Sequence, residues 1–160
     1  MTDKDVKMMP FYNLSDEDKL LILDWRNHKN VSKWMHNSKK VSIQEHYLFI
    51  KGLRNNEDKK YFLIKDNEQK IGVVSFTKIE KKSCEFGIYS NPKCKGVGKF
   101  LMRKIISYAF NILLVDKIYA EVYADNIKAI NLYKAFGCFE NSRKISNGKE
   151  VICMELLNEV

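Results

Sequence analysis

The sequence predicts an α/β fold of the α+β kind, with helices flanking a mixed, mostly antiparallel sheet, and three observations predict it. The first third carries two capped helical segments. Residues 60 to 90 hold three short β-rich runs separated by polar turns. Residues 97 to 124 pass from a glycine loop through an apolar helical period into a strand.

Taken in order, Ser15 followed by Asp18 has the spacing of a capping box ahead of DKLLILDWRNH, and Ser42 followed by Glu45 repeats it ahead of QEHYLFIKGL. KWMHNSKK between them reads as an irregular connector. KYFLIK, KIGVVSFTKI and SCEFGIY are consecutive strands of a meander, with Asp66-Asn67-Glu68 as one turn. Leu101, Ile105, Tyr108, Ala109 and Ile112 then recur at helical spacing, and KIYAEVYA returns to a strand. NIKAINLYKAFG is a last helix ending on Gly137, and two final strands are joined by Asn147-Gly148, the dipeptide favoured in type I′ hairpins. No repeat or Pro/Gly/Ser linker divides the 160 residues, so a single domain over residues 1–160 is expected.

Composition narrows the partners. The formal net charge of +8 favours anionic ligands: nucleic acid, a membrane surface or small phosphorylated molecules. The lysines are scattered, in short pairs such as Lys39-Lys40, Lys59-Lys60 and Lys81-Lys82, where a nucleic-acid binder more often shows one basic helix or stripe. Neither nucleic acid nor membrane is therefore expected as a partner. Cys84, Cys94, Cys138 and Cys153 form no C-x-x-C pair, so no zinc site or dithiol motif is expected, and free thiols suit a reducing cytosol. The opening MTDKDVKMMPFYN has charges where a signal peptide needs an apolar core, and no apolar run approaches the ~20 residues of a membrane span. A cytoplasmic protein is expected.

The chemistry-bearing stretch is NPKCKGVGKFLMRK. Gly96 and Gly98 stand where a helix begins, and a helix N-terminus presents unpaired amides and a partial positive charge to an anion. Lys93, Lys95 and Lys99 add charge around it. It is neither a P-loop, which ends in Gly-Lys-Ser/Thr, nor a dinucleotide fingerprint, which needs a third glycine. About thirty residues on, Asn126, Ala129 and Tyr133 fall at i, i+3 and i+7.

Lys93-x-x-Gly96-x-Gly98 opening a helix, then a strand, then Asn126-x-x-Ala129-x-x-x-Tyr133-x-x-x-Gly137, resembles the paired signature of the Gcn5-related N-acetyltransferases (GNAT) over nearly the whole chain. Lys93 departs from the Gln or Arg usual there but keeps a donor and a charge. The resemblance implies an enzyme of the GNAT fold, with splayed central strands, using acetyl-CoA as co-substrate and no metal. It implies that the amides of Cys94, Lys95, Gly96, Val97, Gly98 and Lys99 hold the pyrophosphate. The backbone around Ile88 and Tyr89 would pair with the pantetheine, with Asn126 in support. Tyr133 would protonate the departing thiolate, a task that suits a hydroxyl neutral at pH 7. Deprotonating the acceptor amine falls to Glu121 or Glu85, each acting through a water. A thiol relay through Cys94 is disfavoured, since no His lies near it in sequence.

The segments DWRNHKNVSKWM, SIQEHYLFIKGL, SFTKI and GIYSNP resemble the bacterial N-acetyltransferases of pseudaminic acid biosynthesis, which modify the 4-amino group of UDP-4-amino-4,6-dideoxy-N-acetyl-β-L-altrosamine. This resemblance implies a UDP-aminosugar acceptor, bound by Arg26, His46, Thr77, Lys78 and Tyr89, and a homodimer. Arg26 can fork onto a phosphate or stack on uracil. Trp25 and Trp34 are candidates for stacking a base or for core packing. Two alternatives stay open: acetylation of protein N-termini of the ribosomal-protein type, and a non-enzymatic basic nucleic-acid-binding domain.

Overall fold

A computed structural model describes residues 6–159. Strand β1 (Val6–Pro10) leads through a 3-10 turn (Phe11–Asn13) into helices α1 (Asp16–Asn27), α2 (Lys29–Ser32) and α3 (Ile43–Leu53). The meander β2 (Lys60–Asp66), β3 (Gln69–Thr77) and β4 (Ser83–Ser90) is followed by α4 (Gly98–Asn111), β5 (Lys117–Tyr123), α5 (Ile127–Ala135), β6 (Phe139–Ser146) and β7 (Lys149–Leu157). The seven strands lie in the order β1-β2-β3-β4-β5-β7-β6, and every neighbouring pair is antiparallel except β4 with β5.

The helix boundaries follow from their caps. At α3 the capping box is complete, Ser42 Oγ accepting from the Glu45 amide and Glu45 returning a bond to the Ser42 amide. At α1 only half of it forms. Ser15 Oγ accepts from the Asp18 amide, but the Asp18 carboxylate turns inward to Lys65 (2.8 Å) and Lys70 (2.6 Å) on β2 and β3. Helix α5 ends as a Schellman motif: Cys138 N–H bonds Tyr133 O, Gly137 N–H bonds Lys134 O, and Gly137 has φ +93°. The Asn147-Gly148 turn has both residues in the left-handed region, as type I′ requires.

Strand β1 is absent from the sequence-based expectation. VKMMP has no apolar alternation and ends on a proline, and it becomes a strand by pairing at the sheet edge with β2, where Pro is tolerated. Two cores sandwich the sheet. One lies under α4 and α5 and includes Phe76, Phe86, Leu101, Ile105, Ile118 and Met154; the other lies under α1 and α3 and includes Ile22, Trp25, Ile50, Leu63 and Val73. Trp25 is thus buried packing and does not stack a base. Helix α4 sits tight on the sheet. A Cβ at Gly72 would lie 2.7 Å from Tyr89 O and 2.8 Å from Leu101 Cδ1, so glycine sets how closely α4 approaches the end of β4.

The feature that positions the site is a fork between β4 and β5. They pair only at Ser83↔Lys117, Cys84↔Ile118 and Glu85↔Tyr119. Beyond that, β4 stays with β3 as far as Gly72↔Ser90, and β5 stays with β7 as far as Tyr123↔Val151. The right-handed twist of each half carries the two strands apart. Among the described residues the inner edges of both are left without a strand partner there.

Candidate active site

At the open end of β4, Asn91 builds the loop that precedes α4. Its amide donates to Ile71 O (2.8 Å) and its Nδ2 to Lys70 O (2.9 Å), fastening the loop to β3. Its Oδ1 accepts from the Lys93 amide (3.0 Å), and its carbonyl from the Cys94 amide (2.8 Å). This removes one amide from the expected anion cradle, because the Cys94 amide, like that of Lys93, is taken up inside the turn. Among the described residues, the amides of Lys95 through Phe100 have no hydrogen-bond partner, and Val97 caps α4 with no side-chain bond. Gly96 has φ +73° and open space where a Cβ would stand. Exposed Lys93, Lys95 and Lys99 surround these amides. The Cys94 thiol lies against Lys70 O and Gln69 Nε2, another anchor to the strand rather than a nucleophile facing the fork.

On the side of the sheet covered by α4 and α5, Tyr133 is 7% exposed and its ring meets Phe86 of β4 edge-on at 5.2 Å. Burial, and then the Cys138 thiol, push its hydroxyl well above the usual phenol range, so it is protonated at every physiological pH. Ile88 packs into the same core, and Tyr89 faces the other one. Both lie on the stretch of β4 that has no partner toward β5. Asn126 is the N-cap of α5: its Oδ1 accepts from the Ala129 amide at 3.3 Å, which accounts for the Asn-x-x-Ala spacing.

The opposite side is lined by carboxylates and lysines. Thr77 stands across from Glu85, Glu85 across from Tyr119, and Glu121 two residues farther along β5, so the two carboxylates share one side of the sheet at the root of the fork. Each pairs with a lysine at the surface. Lys78 Nζ is 3.5 Å from Glu85 Oε1 and Lys144 Nζ is 2.6 Å from Glu121 Oε2; the lysine side chains are 63% and 60% exposed, the carboxylates 17% and 15%. The Lys144 contact is a close ion pair that lacks hydrogen-bond alignment. Burial pushes the Glu121 carboxyl up, but Lys144, with help from His36 and Lys78, holds it below the usual range. A cleft of about 180 Å³ runs from Glu121 between Tyr119, Ser142, Lys144 and Cys153. A wider groove of about 540 Å³ between α1 and residues 40–43 includes no residue of the forked strands.

The connector after α2 spans this face. Asn147 of the β6–β7 turn donates to His36 O (2.9 Å), the His36 ring lies 5.7 Å from that of Tyr123, and Arg26 Nη2 donates to Asn37 O. Arg26 Nη1 is buried without a partner among the described residues, and the Arg26 charge bears on the hydroxyls of Tyr61 and Tyr89. Burial drives the Tyr89 hydroxyl far above the phenol range, Tyr61 adding to the effect and Arg26 opposing it.

The structure thus brings together Arg26, Thr77, Lys78, Tyr89 and Glu121 on one side and Tyr133 on the other. It does not bring His46 to them. His46 is 6% exposed and its Nε2 donates to Lys19 O at 2.7 Å, tying α3 to α1, while burial lowers its pKa and keeps it neutral. Trp34 is half-buried with Lys33 over its ring. Sequence reasoning missed Asn91, His36, Tyr123 and Lys144. Asn91-Pro92 carried a turn signal, and the alternation of Tyr119, Glu121 and Tyr123 marks one side of β5, but no local signal ties Lys144 to Glu121. Among the described residues no cluster of His, Cys, Asp or Glu could hold a metal ion, and no helix is long and apolar enough to cross a membrane.

Comparison with known proteins places these features in context. Residues 9–138 match the acetyltransferase (GNAT) domain family. Acetyltransferase PseH of Campylobacter jejuni serotype O:2 is 46% identical over 129 residues, covering 81% of this chain and 82% of that protein. The crystal structure of C. jejuni N-acetyltransferase PseH in complex with acetyl coenzyme A superposes with a TM-score of 0.81 at 35% identity, over 96% of this chain and 99% of that one. Spermidine N-acetyltransferase of Vibrio cholerae in complex with CoA and spermine gives 0.85 at 25% identity, over 97% and 96%.

Proposed function

Since the chain belongs to the acetyltransferase (GNAT) family, we propose that it transfers the acetyl group of acetyl-CoA to the 4-amino group of a UDP-aminosugar, UDP-4-amino-4,6-dideoxy-N-acetyl-β-L-altrosamine, in pseudaminic acid biosynthesis. The observation that carries the acceptor class is the segregation of charge at the fork: an acidic floor, Glu85 and Glu121, under a basic rim, Lys78 and Lys144. An acceptor with an amine at one end and a diphosphate at the other matches both. A polyamine matches only the floor, and the rim repels it.

Acetyl-CoA supplies an activated thioester; the chain supplies binding, a base and an acid. The partnerless amides of Lys95 to Phe100, at the positive end of α4, fit a pyrophosphate, with Lys93, Lys95 and Lys99 neutralising it. The free inner edge of β4 around Ile88 and Tyr89 fits an extended amide-bearing arm as an added strand would. Arg26, Thr77, Lys78 and Tyr89 bound the acceptor, the Arg26 Nη1 donor awaiting an oxygen. Glu121 draws the amine proton through a water, and the amine attacks the acetyl carbonyl directly, both substrates being present. Tyr133, on the far side of the sheet, donates its proton to the leaving thiolate. Glu121 remains ionised because Lys144 stabilises its charge, and Tyr133 remains protonated because it is buried. The free thiols suit the cytoplasm, and a homodimer is expected.

Initial rates with both substrates varied test the reading. Intersecting double-reciprocal lines and thiol release with the UDP-aminosugar are expected. Parallel lines would point to an acetylated enzyme, and release with N-terminal peptides in place of the sugar would move the acceptor to protein.

A further inference from the structure

Glu121 is faced by charged or titratable groups from every neighbouring element: Lys144 on β6, His36 on the connector, Lys78 after β3, Glu85 on β4, and Cys153 on β7. Among the described residues Lys144 is the one that forms an ion pair with it, and the pair is lopsided. The carboxylate is 15% exposed on a central strand, while the lysine is 60% exposed on a long stem. Lys144 stands opposite Val151, which stands opposite Tyr123, so its stem crosses β7 over the cleft to reach Glu121. Its neighbour Arg143 is held away by Glu140 and Glu150. An ion pair whose lysine is solvent-exposed is weaker than a buried one and readily exchanged, and a diphosphate carries more charge than a carboxylate.

We propose that Lys144 is a specificity-determining residue that exchanges partners: it holds Glu121 in the free enzyme and moves to the acceptor's diphosphate when the acceptor binds, leaving Glu121 to the amine. This inference rests on the nucleotide-linked acceptor proposed above. It explains why the base carries a lysine at all. In the empty site Lys144 keeps Glu121 charged, and in the complex the diphosphate draws it off just as the amine arrives.

UDP and uridine serve as probes, titrated by calorimetry into the enzyme saturated with coenzyme A. Lys144→Met should weaken UDP about tenfold, the size of one charge-assisted hydrogen bond, and Lys144→Arg should restore most of it. Glu121→Gln should tighten UDP about threefold, because no ion pair has to break first, and the double variant should resemble Lys144→Met alone. Uridine should bind all of them alike, and unchanged coenzyme A affinity certifies their folding. UDP affinity untouched by Lys144→Met, UDP weakened by Glu121→Gln, or uridine and UDP weakened equally would each overturn the exchange. If wild-type enzyme binds no UDP, the acceptor reading itself fails, a result separable from the variant series.

Discussion

The loop proposed for the coenzyme and the face proposed for the acceptor lie at the same fork of one sheet but are made of different material. The loop presents backbone: free amides from Lys95 to Phe100, a left-handed Gly96, and an Asn91 that fastens the turn to β3. The acceptor face presents side chains gathered from α1, the connector, β3, β4, β5 and β6, with Glu85–Lys78 and Glu121–Lys144 as its ion pairs. A backbone site is written in consecutive residues and should tolerate exchange of its side chains. A side-chain site depends on which strands meet, and single substitutions there change what it accepts.

The largest effect should come from Tyr133, which belongs to neither surface. Tyr133→Phe keeps the ring against Phe86 and removes only the proton, so kcat should fall about a hundredfold or more, with acetyl-CoA affinity unchanged by calorimetry. Unchanged turnover would remove the tyrosine from the reaction. Glu121→Gln comes next: steady-state rates should drop about tenfold to a hundredfold with KM for acetyl-CoA intact, and a shift of catalysis to Glu85 would show as no loss at all. On the loop, Gly96→Val forces a β-branched residue into φ +73°, so KM for acetyl-CoA should rise about tenfold while the acceptor's KM holds. Raising both together would contradict two separately built surfaces.

Asp18→Asn lies outside both and should affect stability only, by about 2 kcal/mol in urea unfolding at pH 7, less than for a fully buried pair because its lysines are partly exposed. Burial raises the Asp18 pKa, but Lys65 and Lys70 outweigh it and the net shift is down from 3.8. A carboxyl lowered on folding stabilises above its unfolded pKa and loses that contribution as pH falls through the folded value. The gap between wild type and variant should therefore be full at neutral pH and shrink only below about pH 4. A gap constant down to pH 2 would show that charge is not what Asp18 contributes.

Much of this was legible in the sequence, for reasons that differ by residue. The meander, the glycine loop, the Asn126-to-Gly137 helix and the Asn147-Gly148 turn are local patterns, and local physics makes them. Strand β1 was not legible, because only its pairing with β2 makes it a strand. His46 misled because a histidine on a helix reads the same whether it faces a cleft or a neighbouring carbonyl, and burial against Lys19 O decided it. Lys144 was invisible because it lies twenty-three positions and two strand pairings away from Glu121.

The acceptor is tested most directly by product analysis from enzyme given acetyl-CoA with an equimolar mixture of the UDP-4-amino-4,6-dideoxy sugar, spermidine and an N-terminal peptide. The nucleotide sugar should gain one acetyl group, located by NMR at its 4-amino nitrogen, with the other two recovered unmodified. Acetylated spermidine or peptide beside untouched nucleotide sugar would contradict it.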